Sequence, residues 1–125
     1  MIVARLIGNC KIGVNTLLDE SVIIGYPGKV TQLTEHSLET SKGATLGKNC
    51  IIRSNSVVYE NTVIGNNVQT ANNVIIRENV SIGDDCVFGG GAIVLADAKL
   101  GRNVRAMEQS LICEGSIVGN DVFIA

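Results

Sequence analysis

The feature that most constrains this chain is a period of six. Stepping by six from Leu46 meets Ile52, Val58, Ile64, Thr70, Ile76, Ile82, Phe88, Val94, Leu100, Ala106, Ile112, Val118 and Ile124. Thr70 is the single polar member. A helix repeats every 3.6 residues and a half-buried strand every two, so neither gives this pattern over such a length. Short strands joined by regular turns do, when they wind into a parallel β-helix. A second ladder runs three places behind the first: Asn49, Asn55, Asn61, Asn67, Asn73, Asn79, Asp85, Gly91, Asp97, Asn103, Gln109, Gly115 and Asp121. All but Gln109 are Asn, Asp or Gly, the residues that most readily accept left-handed backbone angles in turns. Gly47, Gly65, Gly83, Gly101 and Gly119 are spaced by eighteen, so three hexads close one coil of a triangular prism.

Composition fits this architecture. Hydrophobic residues are 46% of the chain but aromatic ones only 3%, and Trp is absent. A core of Val, Ile and Leu favours strands. The 125 residues form a single domain, 1–125. A second register opens the chain with Leu6, Ile12, Leu18 and Ile24, with Asn9 and Asn15 at its turn places, and gives about one coil over residues 5–25. Ile24 and Leu46 are 22 residues apart, which is not a multiple of six. Residues 26–45 are therefore an excursion loop, and continuous coils occupy 45–125. Long loops inside compact domains are usually functional or disordered. This one carries the only histidine, His36.

Each repeat residue and the one two places before it point inward, and the residue between them points outward. Two of the outward columns are mixed: Thr45, Val63, Ser81, Lys99, Ile117 and Ile51, Gln69, Val87, Arg105, Phe123. The third, Val57, Ile75, Ile93 and Leu111, is wholly aliphatic. A soluble monomer rarely leaves such a stripe in water. Burying each side chain is worth roughly 1.5–3 kcal/mol, so a homo-oligomer built on this face is expected. The competing expectation is that the chain's own loop covers the stripe.

Other classes fall away. A net charge of −2 offers no basic field for nucleic acid. No apolar run is long enough to span a membrane, and the start of the chain lacks a signal-peptide layout, so a cytoplasmic location is the default. Cys10, Cys50, Cys86 and Cys113 form no C-x-x-C pair and read as reduced structural thiols. Cys50 and Cys86 stand two coils apart, about 10 Å from stacked strand spacing, which is too far for a disulfide. With Ala125 one residue past a repeat position, the last coil is expected to present a strand edge that is either tolerated or paired by something else.

The hexads IGNNVQ and IGDDCV, in a run that continues unbroken from Thr45, resemble the hexapeptide-repeat family of left-handed parallel β-helices. Left-handedness is implied by that resemblance, since ordinary crossover rules favour the right-handed form. The family consists mostly of homotrimeric acyltransferases. They take acetyl-CoA or another thioester, held between neighbouring subunits, and transfer the acyl group to a small-molecule amine or hydroxyl acceptor with a histidine as general base. A histidine suits that role because it gains and loses a proton near neutral pH. The stretch Gln69-Thr70-Ala71-Asn72-Asn73-Val74, followed by Ile76-Arg77-Glu78, resembles a subgroup phrase with Ala71 in place of Gly and Asn72 in place of the histidine.

Asn73 belongs to the turn ladder. Asn72 does not, and an amide cannot act as a general base. Three expectations follow. His36 supplies the base from the loop of this chain or a neighbour; or the enzyme works by proximity without a base; or the protein is a catalytically inactive trimeric β-helix that serves as a scaffold or ligand-binding protein. Arg53 and Arg77 follow repeat residues, so they sit at prism corners as candidates for coenzyme phosphate. The plainer role is a solvated corner with Glu60 or Glu78 as partner. One histidine per chain cannot build the three-histidine zinc site of the related γ-class carbonic anhydrases, so no metal is expected. No outward threonine ladder marks an ice-binding surface. A sugar-nucleotide pyrophosphorylase needs a nucleotide-binding domain for which the repeats leave no room.

Overall fold

The computed structural model describes residues 3–30 and 32–125. It is a left-handed parallel β-helix with three flat faces, each a six-stranded parallel sheet. The first sheet stacks Arg5–Leu6, Ile23–Tyr26, Val57–Tyr59, Ile75–Ile76, Ile93–Val94 and Leu111–Ile112. The second stacks Lys11–Ile12, Thr45–Leu46, Val63–Ile64, Ser81–Ile82, Lys99–Leu100 and Ile117–Val118. The third stacks Leu17–Leu18, Ile51–Ile52, Gln69–Thr70, Val87–Phe88, Arg105–Ala106 and Phe123–Ile124.

The two sequence ladders explain these elements directly. All thirteen turn positions from Asn49 to Asp121 have positive φ, from 54° at Asn103 to 72° at Gly91 and Gly115. A left-handed residue at every corner redirects the chain by one face, and Asn and Asp adopt that conformation at low cost. Gln109, the exception by type, adopts it too, at 62°. In the N-terminal coil the expected corner at Asn9 moves one place, and Gly8 takes the positive φ of 79°. Neighbouring coils are 18 residues apart in register, as in Ile75↔Ile93 and Val87↔Arg105. The glycine column marks a close approach: a Cβ on Gly65 would collide with Asp84 Oδ1, which accepts from Asn66 N at 2.7 Å.

The prism interior is filled by repeat residues and by the small residues two places before them. Val58, Ile64, Ile76, Phe88 and Val94 are buried among them. The polar small residues have a constructional task. Thr62 Oγ1 donates to Arg77 O at 2.7 Å and accepts from Val80 N at 3.3 Å. Ser56 Oγ donates to Ala71 O at 3.1 Å and accepts from Val74 N at 3.2 Å. Cys86 Sγ makes the equivalent pair with Gly101 O and Val104 N at 3.3 and 3.4 Å. Burial, the largest influence, pushes that thiol's pKa up. Each such side chain ties a corner to the coil above it, so buried polar atoms are satisfied. Thr70, the polar member of the repeat ladder, accepts from Arg53 N at 3.2 Å.

The excursion interrupts the stacking without spoiling it. Ile23 pairs with Val57, 34 residues on, and Leu17 pairs with Ile51, also 34 on. The sheets therefore continue across an insertion that leaves the prism after Tyr26 and returns at Thr45. Within it lie two short 3-10 turns, Leu33–Glu35 and Leu38–Thr40, with no buried residues. The loop packs on the corner between the first and second sheets. It leaves Val57, Ile75 and Ile93 partly exposed and Leu111 57% exposed, so it does not cover the aliphatic face.

Candidate active site

Two corners flank the aliphatic first sheet, and the candidate residues divide between them. Asn72 and Arg53 belong to the corner shared with the third sheet. His36 and Arg77 belong to the corner shared with the second. Within one chain, therefore, the single histidine does not stand beside the asparagine that replaces the family's histidine.

At the first of these corners Asn72 is exposed, and its Nδ2 donates only a long bond, 3.5 Å, to Ser54 O. Its side chain is free to meet another molecule as donor or acceptor. Arg53 is committed locally. Its Nη1 donates to Thr70 O at 3.0 Å and to Gln69 Oε1 at 3.4 Å, which holds the guanidinium along its own corner.

The second corner is more elaborate. Tyr59 follows its strand onto the corner, and Arg77 occupies the equivalent place one coil on. The Arg77 guanidinium lies over the Tyr59 ring at 4.5 Å from its centroid, a cation–π contact. Tyr59 meets Tyr26 edge-on at 5.2 Å between centroids, and Tyr26 meets the His36 imidazole at 5.9 Å. Arg77 Nε donates to Glu78 Oε1 at 3.0 Å, the one ion pair among the described residues. Glu78 is 8% exposed. Burial pushes its pKa upward, but the bonds from Lys29 N and its own N–H, together with Arg77, outweigh that and hold the carboxyl below its ordinary value. The residues Tyr26, Lys29, Leu33, His36, Tyr59 and Arg77 enclose most of an open cavity of about 230 Å³.

What this arrangement can do follows from its groups. The imidazole can take a proton, the aromatic rings give a flat apolar wall, and Arg77 and Lys29 bring positive charge that suits an anionic group. A larger groove of about 570 Å³ runs along the second sheet, past Asn61, Asn79, Asp97 and Lys99. It holds no histidine, and its Asn61 Nδ2 is spent on Asn79 Oδ1 at 2.7 Å. Among the described residues no group of three or more His, Cys, Asp or Glu side chains is placed to hold a metal ion. No helix among them is long and apolar enough to cross a membrane.

The sequence alone marked His36 and Arg77 separately and left Tyr59 unmarked. It missed that Tyr26, the last residue before the excursion, joins them through edge-on and tilted ring contacts. The available signal was an aromatic residue at the excursion's start in a chain with four aromatic residues in all, two Tyr and two Phe.

Residues 61–96, inside the uninterrupted coils, match the family model described as bacterial transferase hexapeptide (six repeats). No curated protein matches the chain. The acetyltransferase domain of PglB from Neisseria gonorrhoeae FA1090 superposes with a TM-score of 0.71 at 16% identity, over 94% of this chain and 51% of that one. LpxA from Acinetobacter baumannii superposes with a TM-score of 0.59 at 17% identity, over 89% of this chain and 63% of that one. At such identities the likeness is one of fold, and the chain spans between half and two-thirds of the length of those structures.

Proposed function

We propose that this chain, whose residues 61–96 match the bacterial transferase hexapeptide model, is an acyltransferase that moves an acetyl or other acyl group from coenzyme A to a small amine or sugar hydroxyl. The observation that carries the proposal is the loop's placement of the sole histidine. His36 stands at the rim of a cavity with two tyrosines and an arginine, beside the aliphatic face, on the scaffold of a transferase repeat. In the proposed reaction the acceptor nitrogen or oxygen attacks the thioester carbonyl. A carbon–nitrogen or carbon–oxygen bond forms, the carbon–sulfur bond breaks, and His36 takes the acceptor's proton and returns it to the departing thiolate. Arg77 and Arg53 are the proposed contacts for the donor's phosphates. Arg77 suits this better, since it lines the cavity while Arg53 is bonded along its own corner.

The separation of His36 from Asn72 has a geometric remedy in a homotrimer. Three copies meeting along Val57, Ile75, Ile93 and Leu111 form a closed ring. In such a ring one edge of each first sheet abuts the opposite edge of the next. The His36 corner of one chain then faces the Asn72 corner of its neighbour. The active site would be shared, with His36 as base and Asn72 as a hydrogen-bonding partner for acceptor or thioester carbonyl. The compartment in which this occurs is proposed to be the cytoplasm, where coenzyme A thioesters are available.

Acetyl transfer from acetyl-CoA to a panel of amines and amino sugars tests the proposal. Loss of at least about a hundredfold in His36→Ala is expected, the usual scale for a general base. Equal activity in both proteins overturns the role of His36. The exposed, non-titratable Asn72 favours a second reading, an acyl-CoA- or sugar-binding trimer without catalysis. A thermal shift with acetyl-CoA but no turnover on any acceptor would support that reading, by linkage of binding to stability.

A further inference from the structure

Two glutamates at the His36 corner accept hydrogen bonds from the loop backbone, and they do so in an unusual arrangement. Glu60 Oε2 accepts from Gly28 N at 2.7 Å, and its Oε1 accepts from Lys42 N at 3.0 Å. One carboxylate thus joins the two ends of the excursion. Glu78 divides its oxygens in the same way: Oε2 takes Lys29 N at 2.9 Å and Oε1 takes Arg77 Nε at 3.0 Å. The backbone around them is drawn in as well, since Glu60 N donates to Tyr26 O at 2.7 Å and Asn61 N to Gly43 O at 2.6 Å. The approach is close enough to specify a residue type. A Cβ on Gly28 would stand 3.0 Å from both Cγ and Oε2 of Glu78, tighter than ordinary packing allows.

From these contacts we infer that Glu60 and Glu78 are positioning residues that hold the excursion as a closed loop and so set His36 over the Tyr26–Tyr59–Arg77 cavity. Apart from its ends, where Pro27 and Ala44 are buried and Ser41 Oγ donates to Gly25 O at 2.5 Å, the loop has little of its own to hold it. Its two 3-10 turns bury no residue, and Leu33 is 91% exposed. A segment with so little apolar burial is drawn from the least stable part of a fold, and charge-assisted bonds to its backbone are stronger than neutral ones. Removing the Glu60 carboxylate therefore takes a bond from both ends at once, although Gly28 and Lys42 are 14 residues apart in sequence. Removing Glu78 takes one from the first end only and also leaves Arg77 without its partner.

The catalytic consequence rests on the acyltransferase reading, but the positioning can be tested without it. The chain has one histidine, so its imidazole gives a single, assignable set of proton resonances. In the full chain, Glu60→Ala is expected to raise amide exchange at Gly28 and Lys42 together by about tenfold or more, on the scale of a lost bond to a charged group. It is also expected to move the His36 ring resonances toward free-imidazole values, because the neighbouring Tyr26 ring no longer shifts them. Amides in the coils, such as Ile75 and Val87, should keep their protection. Gly28→Ala, which leaves both carboxylates in place but crowds Glu78, should move the His36 resonances in the same direction, and serves if Glu60→Ala does not fold. Unchanged His36 resonances in both variants, or exchange that rises at Gly28 but not Lys42 in Glu60→Ala, would overturn the inference. If the loop is released and the wild-type protein shows no acyl transfer, the positioning stands and the acyltransferase reading fails.

Discussion

The two corners that flank the first sheet were built by different means. The corner through Ser54, Asn72 and Gly90 is the plain repeat: a left-handed residue follows at Asn55, Asn73 and Gly91, and the side chains make few bonds beyond the backbone. The opposite corner keeps the same backbone course at Tyr59 and Arg77, with left-handed Asn61 and Asn79, but at Tyr26 the strand shifts register through Gly25. Added to it are an edge-on aromatic pair, a guanidinium, two carboxylates and an inserted loop. A repeat scaffold makes corners cheaply and identically. Chemistry enters where one corner is allowed to differ, because an insertion there need not disturb strand pairing. The expected division is that the plain column carries the stability while the elaborated corner carries function.

The sharpest test of that division is the aliphatic face between the corners. Val57→Asp with Ile93→Asp is expected to convert the proposed trimer into a folded monomer in light scattering. An unchanged mass would break the proposed pairing of unlike corners between neighbours. Next in size is Phe88→Ala, at the centre of the column and fully buried. It should cost about 3–5 kcal/mol in denaturant unfolding, and a loss well under that range would show that the column is not the main support. Asn73→Val places a branched residue at a φ of 61° and should cost about 1–2 kcal/mol. Its neighbour Asn72→Ala should stay within about 0.5 kcal/mol, and equal costs at the two sites would erase the distinction between turn residue and candidate site residue.

Acid probes the elaborated corner through Glu78. Because the folded Glu78 carboxyl is held below its ordinary value of 4.5, its contribution is fully present above that value. The contribution is lost as pH falls through the lower folded-state value, when protonation weakens the bonds from Lys29 N and Arg77. The Lys29 amide resonance should therefore titrate with a midpoint below 4.5, whereas a midpoint at or above it contradicts the proposed bonding. The smallest effect is expected at the loop tip. Leu33→Ser should change unfolding free energy by no more than about 0.5 kcal/mol, as for other exposed positions, and a larger loss would mean the loop supports the prism after all.

Much of the column was legible before any coordinates. Hydrophobic period, corner residues and the glycine spacing are each demanded locally, every six or eighteen residues, so each repeats its own constraint. The corner shift from Asn9 to Gly8 was missed because a single coil offers only one instance of the pattern. Arg77 was placed at a corner, and its pairing with Glu78 was among the partners expected. The bracket made by Glu60 was not legible. Nothing in the spacing of Gly28, Lys42 and Glu60 requires them to meet, because a loop's path depends on which distant backbone groups find an acceptor.

By itself the sequence determined that this chain winds into a three-sided parallel β-helix with one aliphatic face, because a six-residue rhythm of aliphatic and left-handed residues satisfies backbone and core in no other way. Only the tertiary structure decided that His36 stands on the opposite edge of that face from Asn72. The reason is physical. Period fixes the direction of every residue within the coils, whereas the excursion's position is fixed by hydrogen bonds to Glu60 and Glu78 that no period encodes.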